Sequence, residues 1–507
     1  MKTANQIVET TGNKNIIFYT FLFLYSGILL YLCSELNVWV DETYTLNTTS
    51  RNLKEVISQA YNFEGQSPVY FVILSFWRHI SSSVFFARLF SVCCVGTAAW
   101  LFYRLVNLVA GNVSSKWLAV IFLLNPFTVW AALEIRLYAF VLLLSVATIY
   151  SFFLFYIQNK SKYLFLFIAV CLFGVYTQYF FTLLIAALAF AVLVFKGWKA
   201  CLKFCLYLLP VGLLFLPNLF FLQEQVRLAQ TEKIDYSLTG KFILALHSPQ
   251  NLLLSLQMVS LDKKIRWLIS AVFFVAIFLA YFKWYKKARV NKEPYFEIIN
   301  IVILSVAVFV LLLSIVVTVI GVDYQDRYLT VSFPLFVLVF TLFNIYPVLN
   351  QRFIFSAVAG FYIALLTFSY SSMVKQYDFK SLASYINTIV RKDEPVLVYH
   401  GTVSLSLKYY YKEHNRIVPL PGTIKYNSDT FLGEIKDTVE LKQSIEAVNT
   451  TTQSYLLITD LAEPKYAADA NRKIINDYLN AHYTISLDTL FFGRCKDRPL
   501  RIRRLQK

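Results

Sequence analysis

The sequence is short of charge. Only 15% of its 507 residues are Asp, Glu, Lys or Arg, against about 25% in soluble domains. With 58% hydrophobic and 17% aromatic residues, that deficit excludes an ordinary soluble protein and points to a polytopic membrane chain. There is no CxxC pair among the seven cysteines, Cys33, Cys93, Cys94, Cys171, Cys201, Cys205 and Cys495. Neither a zinc site nor a disulfide framework is therefore indicated. A cleavable signal peptide is also missing, because the first apolar run, 16–36, is long enough to stay as a span. The centres of the apolar runs hold almost no charges. Ion-coupled transporters need ionisable groups or broken helices near the bilayer midplane.

What charge there is has a bias. The formal net charge is +17, but most Lys and Arg lie in short turns between apolar runs, where they set topology. Nucleic acid is not an expected partner. The runs predict about eleven transmembrane helices: 16–36, 85–106, 116–133, 138–158, 163–179, 180–195, 204–222, 265–282, 297–320, 329–349 and 353–372. Pro210 and Pro217 predict kinks in the seventh. The basic turns 1–15, 107–116, 158–162, 196–203, 283–296 and 350–352 all fall on one side of that count. That side is the cytoplasm, so the N-terminus is cytoplasmic in a multi-pass protein of the inner or plasma membrane.

The remaining segments fall outside. Residues 37–67 form a polar loop, and 46–60 have the periodicity of a surface helix with Ser50 as its N-cap. Residues 68–80 and 251–261 are apolar but too short to span. Residues 373–507 differ in kind. Strand-like runs at 395–400 and 455–460 and helical periodicity at 379–390 and 471–481 predict a small α/β domain, extracytoplasmic and free of internal disulfides. The division is thus 1–372, including an outer loop at 37–84, and 373–507.

Chemistry concentrates at the outer face. Asp41 and Glu42 end the first span and are bracketed by Trp39 and Tyr44. Glu134, Arg136 and Tyr138 open the fourth span; Arg327 and Tyr328 precede the tenth. Arg88, at the outer end of the second, is expected to snorkel. Carboxylates suit proton abstraction, and the planar fork of Arg suits phosphate. A substrate with a long lipid tail and a phosphate head would present its head at this depth.

Taken in order, Trp39-Val40-Asp41-Glu42-Thr43-Tyr44, Ser67-Pro68-Val69-Tyr70-Phe71-Val72 with Trp77, Glu134-Ile135-Arg136-Leu137-Tyr138-Ala139, Tyr176-Thr177-Gln178-Tyr179-Phe180 and Arg327-Tyr328-Leu329 with Pro334 resemble bacterial GT-C membrane glycosyltransferases of the protein O-mannosyltransferase and aminoarabinose transferase type. The resemblance covers about 1–372. It implies inverting transfer of a sugar from a polyprenyl-phosphate donor to an acceptor hydroxyl on a lipid, glycan or protein of the cell envelope. Asp41 would be the general base, and Arg136 and Arg327 would meet the departing phosphate. Glu42 would orient the acceptor or help hold a divalent metal. Glu134 would orient Arg136 or contact sugar hydroxyls, and Tyr138 and Tyr328 would line the donor site.

Two positions depart from the family pattern. Gln66-Ser67 stands where many members carry His-Pro or an acidic-basic pair, and Gln178 stands where a His is usual. No metal-ligand cluster is visible, His247 being isolated, so the cofactor stays unassigned. A flippase for lipid-linked glycans and a membrane-anchored binding protein are the competing readings.

Overall fold

The computed structural model describes residues 4–110, 112–231, 240, 249, 251–255, 262–291, 296–320, 325–342, 351–368, 377–399, 401, 403–420, 435, 437–448, 454–460, 470–493 and 499–506. The chain forms two compact units. One comprises 1–33 with 65–368; the other comprises 34–64 with 369–507.

The first unit is helical. Among the described residues six helices are long and apolar enough to cross a membrane: Phe18–Glu35, Val84–Val109, Tyr138–Ile157, Trp198–Phe215, Lys264–Val290 and Phe296–Ile320. Tyr138–Ile157 is largely buried, whereas Lys264–Val290 turns Leu268, Val272, Val275, Phe278 and Leu279 outward. Outward apolar side chains are what a helix facing lipid requires.

Several predicted spans are shorter or broken, for local reasons. The 116–133 run divides into Asn112–Leu124 and Pro126–Ala132. Pro126 lacks an N–H and pushes the preceding residue out of the helical region. Asn125 caps the second piece by accepting from the Phe127 N–H at 2.9 Å. The 163–179 and 180–195 runs become helices Leu164–Val175 and Phe181–Lys196, with a turn between them. The 329–349 run opens as a 3-10 turn, Asp326–Val331, followed by Phe333–Val339. Pro210 lies inside Trp198–Phe215, and Pro217 separates that helix from Asn218–Thr231.

Arg88 does not snorkel. It is fully buried, and its Nη1 donates to the Cys33 carbonyl at 3.0 Å. Cys33 lies in the last turn of Ala4–Glu35, where carbonyls have no partner within the helix.

The second unit is built on a five-stranded sheet of order β2-β1-β3-β5-β4, with β1 Val396–Tyr399, β2 Ile417–Leu420, β3 Ser454–Asp460, β4 Thr484–Phe491 and β5 Leu500–Gln506. β1 runs parallel to β2 and β3; β5 runs antiparallel to β3 and β4. Alternate strand residues feed two cores. Val396, Val398, Leu456, Ile458 and Ile502 pack with Phe379, Leu382 and Ile386. Leu397, Tyr399, Leu457 and Leu505 pack with Leu441, Ile445, Ile475 and Leu479. The predicted strands at 395–400 and 455–460 and helices at 379–390 and 471–481 correspond to β1, β3, Phe379–Ile389 and Ala470–His482.

Residues 34–64 join this unit through buried polar contacts. Asn37 is fully buried; its Nδ2 donates to Asp378 Oδ1 at 3.3 Å, and its Oδ1 accepts from the Lys380 N–H at 3.0 Å. The Val38 N–H donates to the Tyr410 hydroxyl at 2.8 Å. The stretch predicted as a loop with one surface helix is two helices, Val40–Thr48 and Leu53–Asn62. Asn52, not Ser50, caps the second, accepting from the Glu55 N–H at 3.0 Å.

Candidate active site

The acidic pair starts a helix. Trp39 occupies the cap position with extended backbone, which puts Asp41 and Glu42 in the first turn of Val40–Thr48. Unsatisfied N–H groups there favour negative charge. The two carboxylates differ in burial and in partner. Glu42 is fully buried, and its Oε2 accepts from the Trp39 N–H at 3.3 Å, which fixes the turn. Asp41 is half-buried and so reachable. Behind them, the buried ring of Tyr44 meets Phe63 edge-on at 5.0 Å.

The second group of predicted residues lies in the helical unit. Glu134 and Arg136 sit in the turn between Pro126–Ala132 and Tyr138–Phe152, and both are buried, at 1% and 8% exposure. The Ser91 hydroxyl pins this turn by donating to the Glu134 carbonyl at 2.6 Å. Arg327, 189 residues further on, returns to it. Its Nη1 donates to the Tyr138 hydroxyl at 2.8 Å, and its guanidinium carbon lies 5.9 Å from the centre of the same ring. Trp130 packs on Tyr138 at 4.9 Å and Phe180 on Tyr328 at 4.4 Å. Burial pushes the neighbouring Asp326 carboxyl up, opposed by the Asn251 side-chain amide, which donates to both oxygens at 3.1 and 3.0 Å. The arrangement holds one guanidinium fork, partly exposed, on the turn that carries another.

The segments around Ser67 and Gln178 are joined by a backbone bond. The Val69 N–H donates to the Tyr176 carbonyl at 3.4 Å, and Asn218 Nδ2 donates to the Ser67 hydroxyl at 2.8 Å. Ser67 and Asn218 are buried. Asn218 had no sequence signal beyond its place after Pro217. His247 lies outside the described residues. Among the described residues no three His, Cys, Asp or Glu side chains form a group that could hold a metal ion. An apolar cavity of about 520 Å³ opens between Lys263–Asn291 and Phe296–Ile320, lined by Phe274, Ile277, Phe278, Ile303, Val306 and Val310 among others.

No protein-family model matches the chain, and no curated protein does. Solved structures do. The chain is similar to ArnT from Cupriavidus metallidurans in the apo state, with a TM-score of 0.58 and 11% identity over 97% of this chain and 98% of that one. It is similar to the same protein bound to undecaprenyl phosphate, with a TM-score of 0.56 and 10% identity over 96% and 97%. The chain thus has the ArnT fold.

Proposed function

We propose that this protein is a membrane glycosyltransferase that moves a sugar from a polyprenyl-phosphate donor to an acceptor hydroxyl at the outer face, with inversion. The observation that carries the reading is the extent of the fold match. Nearly the whole of both chains superposes, and one of the matched structures holds undecaprenyl phosphate. Two features support it. Arg327 and Arg136 supply planar forks suited to a phosphate, and the apolar cavity is of a kind to take part of an isoprenoid tail.

In this mechanism Asp41 takes the proton of the acceptor hydroxyl as its oxygen bonds to the anomeric carbon. The bond from that carbon to the phosphate oxygen breaks on the opposite side. Polyprenyl phosphate leaves with the electron pair, and Arg136 and Arg327 neutralise its growing charge. Glu42 holds the helix start that presents Asp41. Glu134 and Tyr138 orient the two arginines, and Tyr328 lines the donor site. The chain crosses the membrane about eleven times with a cytoplasmic N-terminus and an outer C-terminal domain, as the distribution of basic turns supports.

The test is Asp41→Asn in the purified full chain. Sugar transfer should fall by about 10² to 10⁴, the usual worth of a general base, with donor binding retained. Full activity in that variant removes Asp41 from the mechanism. Conversion of lipid-linked donor to free polyprenyl phosphate in detergent distinguishes a transferase from a flippase, which leaves the donor intact.

A further inference from the structure

The sheet unit buries a charge that has no counter-ion of its own. Arg503 is 2% exposed, and its Nε is shielded from solvent and makes no hydrogen bond among the described residues. Burial, and then the charge of Arg501, push its pKa down to about 10, so the guanidinium stays charged at neutral pH. The carboxylate opposite it on β4 is Asp488. Both Asp488 oxygens are already engaged: Arg501 Nε donates to Oδ1 at 2.8 Å and Arg501 Nη2 to Oδ2 at 2.5 Å. Two guanidiniums thus share one carboxylate, and the more deeply buried one lacks an anion to itself. Buried charges are ordinarily paired and hydrogen-bonded, and arginine cannot escape by losing its proton.

The two arginines lie where sheets of this kind take ligands. β2 and β3 flank β1 on opposite sides, so the strand order reverses there, and ligands bind beyond the carboxyl ends of strands at such a point. Tyr399 and Thr459 stand at the carboxyl ends of β1 and β3, and Arg501 extends that row. Leu397, Leu457, Arg503 and Asp488 form the row beneath. Residues two apart share a sheet face, so Arg501 and Arg503 lie on one side about 7 Å apart along β5. A carboxylate has two oxygens, which one fork uses up, as Asp488 shows. A phosphate has a third to offer a second fork. The Arg501 and Asp488 side chains are 33% and 40% exposed, which opens the cluster to solvent. We infer that Arg503 and Arg501 form a phosphate-binding site, with Arg503 as the principal contact and Asp488 as the group that the phosphate displaces from Arg501. All three residues belong to the sheet unit, whereas Arg136 and Arg327 belong to the helical one. The site therefore does not depend on the transferase reading. Its ligand is the phosphate of a soluble ester or of a lipid headgroup.

Hydrogen exchange in β4 and β5 of the full chain in detergent reads this site and not the helical unit. Inorganic phosphate, a hexose phosphate and phosphatidate in the micelle are titrated at constant ionic strength, with acetate as the control. Phosphate should slow exchange in both strands, and acetate at equal concentration should not. Arg503→Leu should weaken the phosphate response at least tenfold, the worth of a hydrogen bond to a charged group. Its melting temperature without phosphate should not fall, because an apolar side chain replaces an unpaired buried charge. Asp488→Asn should strengthen phosphate binding about fivefold by freeing Arg501 and removing a repelling charge. Stronger protection by the hexose phosphate supports the site with a soluble ester as its ligand; stronger protection by phosphatidate supports it with a lipid headgroup. Exchange unmoved by all three phosphates overturns the site, as does a wild-type phosphate response in Arg503→Leu or equal protection by acetate. A lowered melting temperature in Arg503→Leu, with no phosphate effect in wild type, would make Arg503 a structural partner of Asp488 instead.

Discussion

Tyr138→Phe isolates the contact that orients Arg327. The substitution keeps the ring, so the Trp130 packing at 4.9 Å and the guanidinium at 5.9 Å are retained. Only the hydroxyl that accepts from Arg327 Nη1 at 2.8 Å is lost. A hydrogen bond to a charged group is worth about 1.5–3 kcal/mol when well shielded. Arg327 is partly exposed, and solvent screening reduces that to about 1 kcal/mol. If the fork must be held in place to meet the leaving phosphate, kcat/KM should fall about fivefold. Arg327→Lys removes the bidentate geometry itself and should cost about 10² to 10³. The assay is release of polyprenyl phosphate from the lipid-linked donor by the purified full chain, with melting temperature measured alongside. Tyr138→Phe within twofold of wild type, with Arg327→Lys equally active, would refute a phosphate role for this arginine.

The remaining predictions concern stability. Glu394 is fully buried and accepts from Arg504 Nε at 2.9 Å, from the Arg391 N–H at 3.0 Å and from the Ser454 hydroxyl. Burial alone would raise its carboxyl, but these donors outweigh it and hold it below the ordinary glutamate value. A depressed folded value means stability present above the unfolded value of about 4.3, lost as pH falls through the folded one. Glu394→Gln should therefore destabilise the sheet unit by about 3 kcal/mol at neutral pH and flatten its acid sensitivity; hydrogen exchange in β3 and β5 at pH 7 and below reads both, and wild-type protection at every pH would contradict it. Gly493→Ala should cost about 1–3 kcal/mol, because Gly493 has φ +54° and an added Cβ would lie 2.7 Å from the Asp378 Cβ; an unchanged melting temperature would show that Asp378 moves freely.

The sequence exposed most of what depends on neighbouring residues. Apolar runs marked the helical unit, and continuous Val and Leu marked β1 and β3 because a strand covered on both faces needs no alternation. The break at Asn125-Pro126 was also local, but its cue was outweighed by the length of the apolar run around it. Contacts across long separations were not legible. Nothing near Arg88 signals the Cys33 carbonyl, 55 residues back. Nothing near Tyr138 signals Arg327. The helix at Asp41 was missed because its cap is Trp39, outside the usual Ser, Thr, Asp and Asn set, although Glu42 stands three residues on, as a reciprocal cap requires.

The membership of 34–64 in the sheet unit sets an order of events during biosynthesis. Asn37 and its partner Asp378 are 341 residues apart. At about 5–20 residues per second the ribosome needs roughly 17–70 s to connect them. Throughout that interval the segment presenting Asp41 has no scaffold. A nascent chain stalled anywhere before residue 378 therefore carries the Asp41 helix without the Asn37–Asp378 contact that ties its segment to the sheet unit.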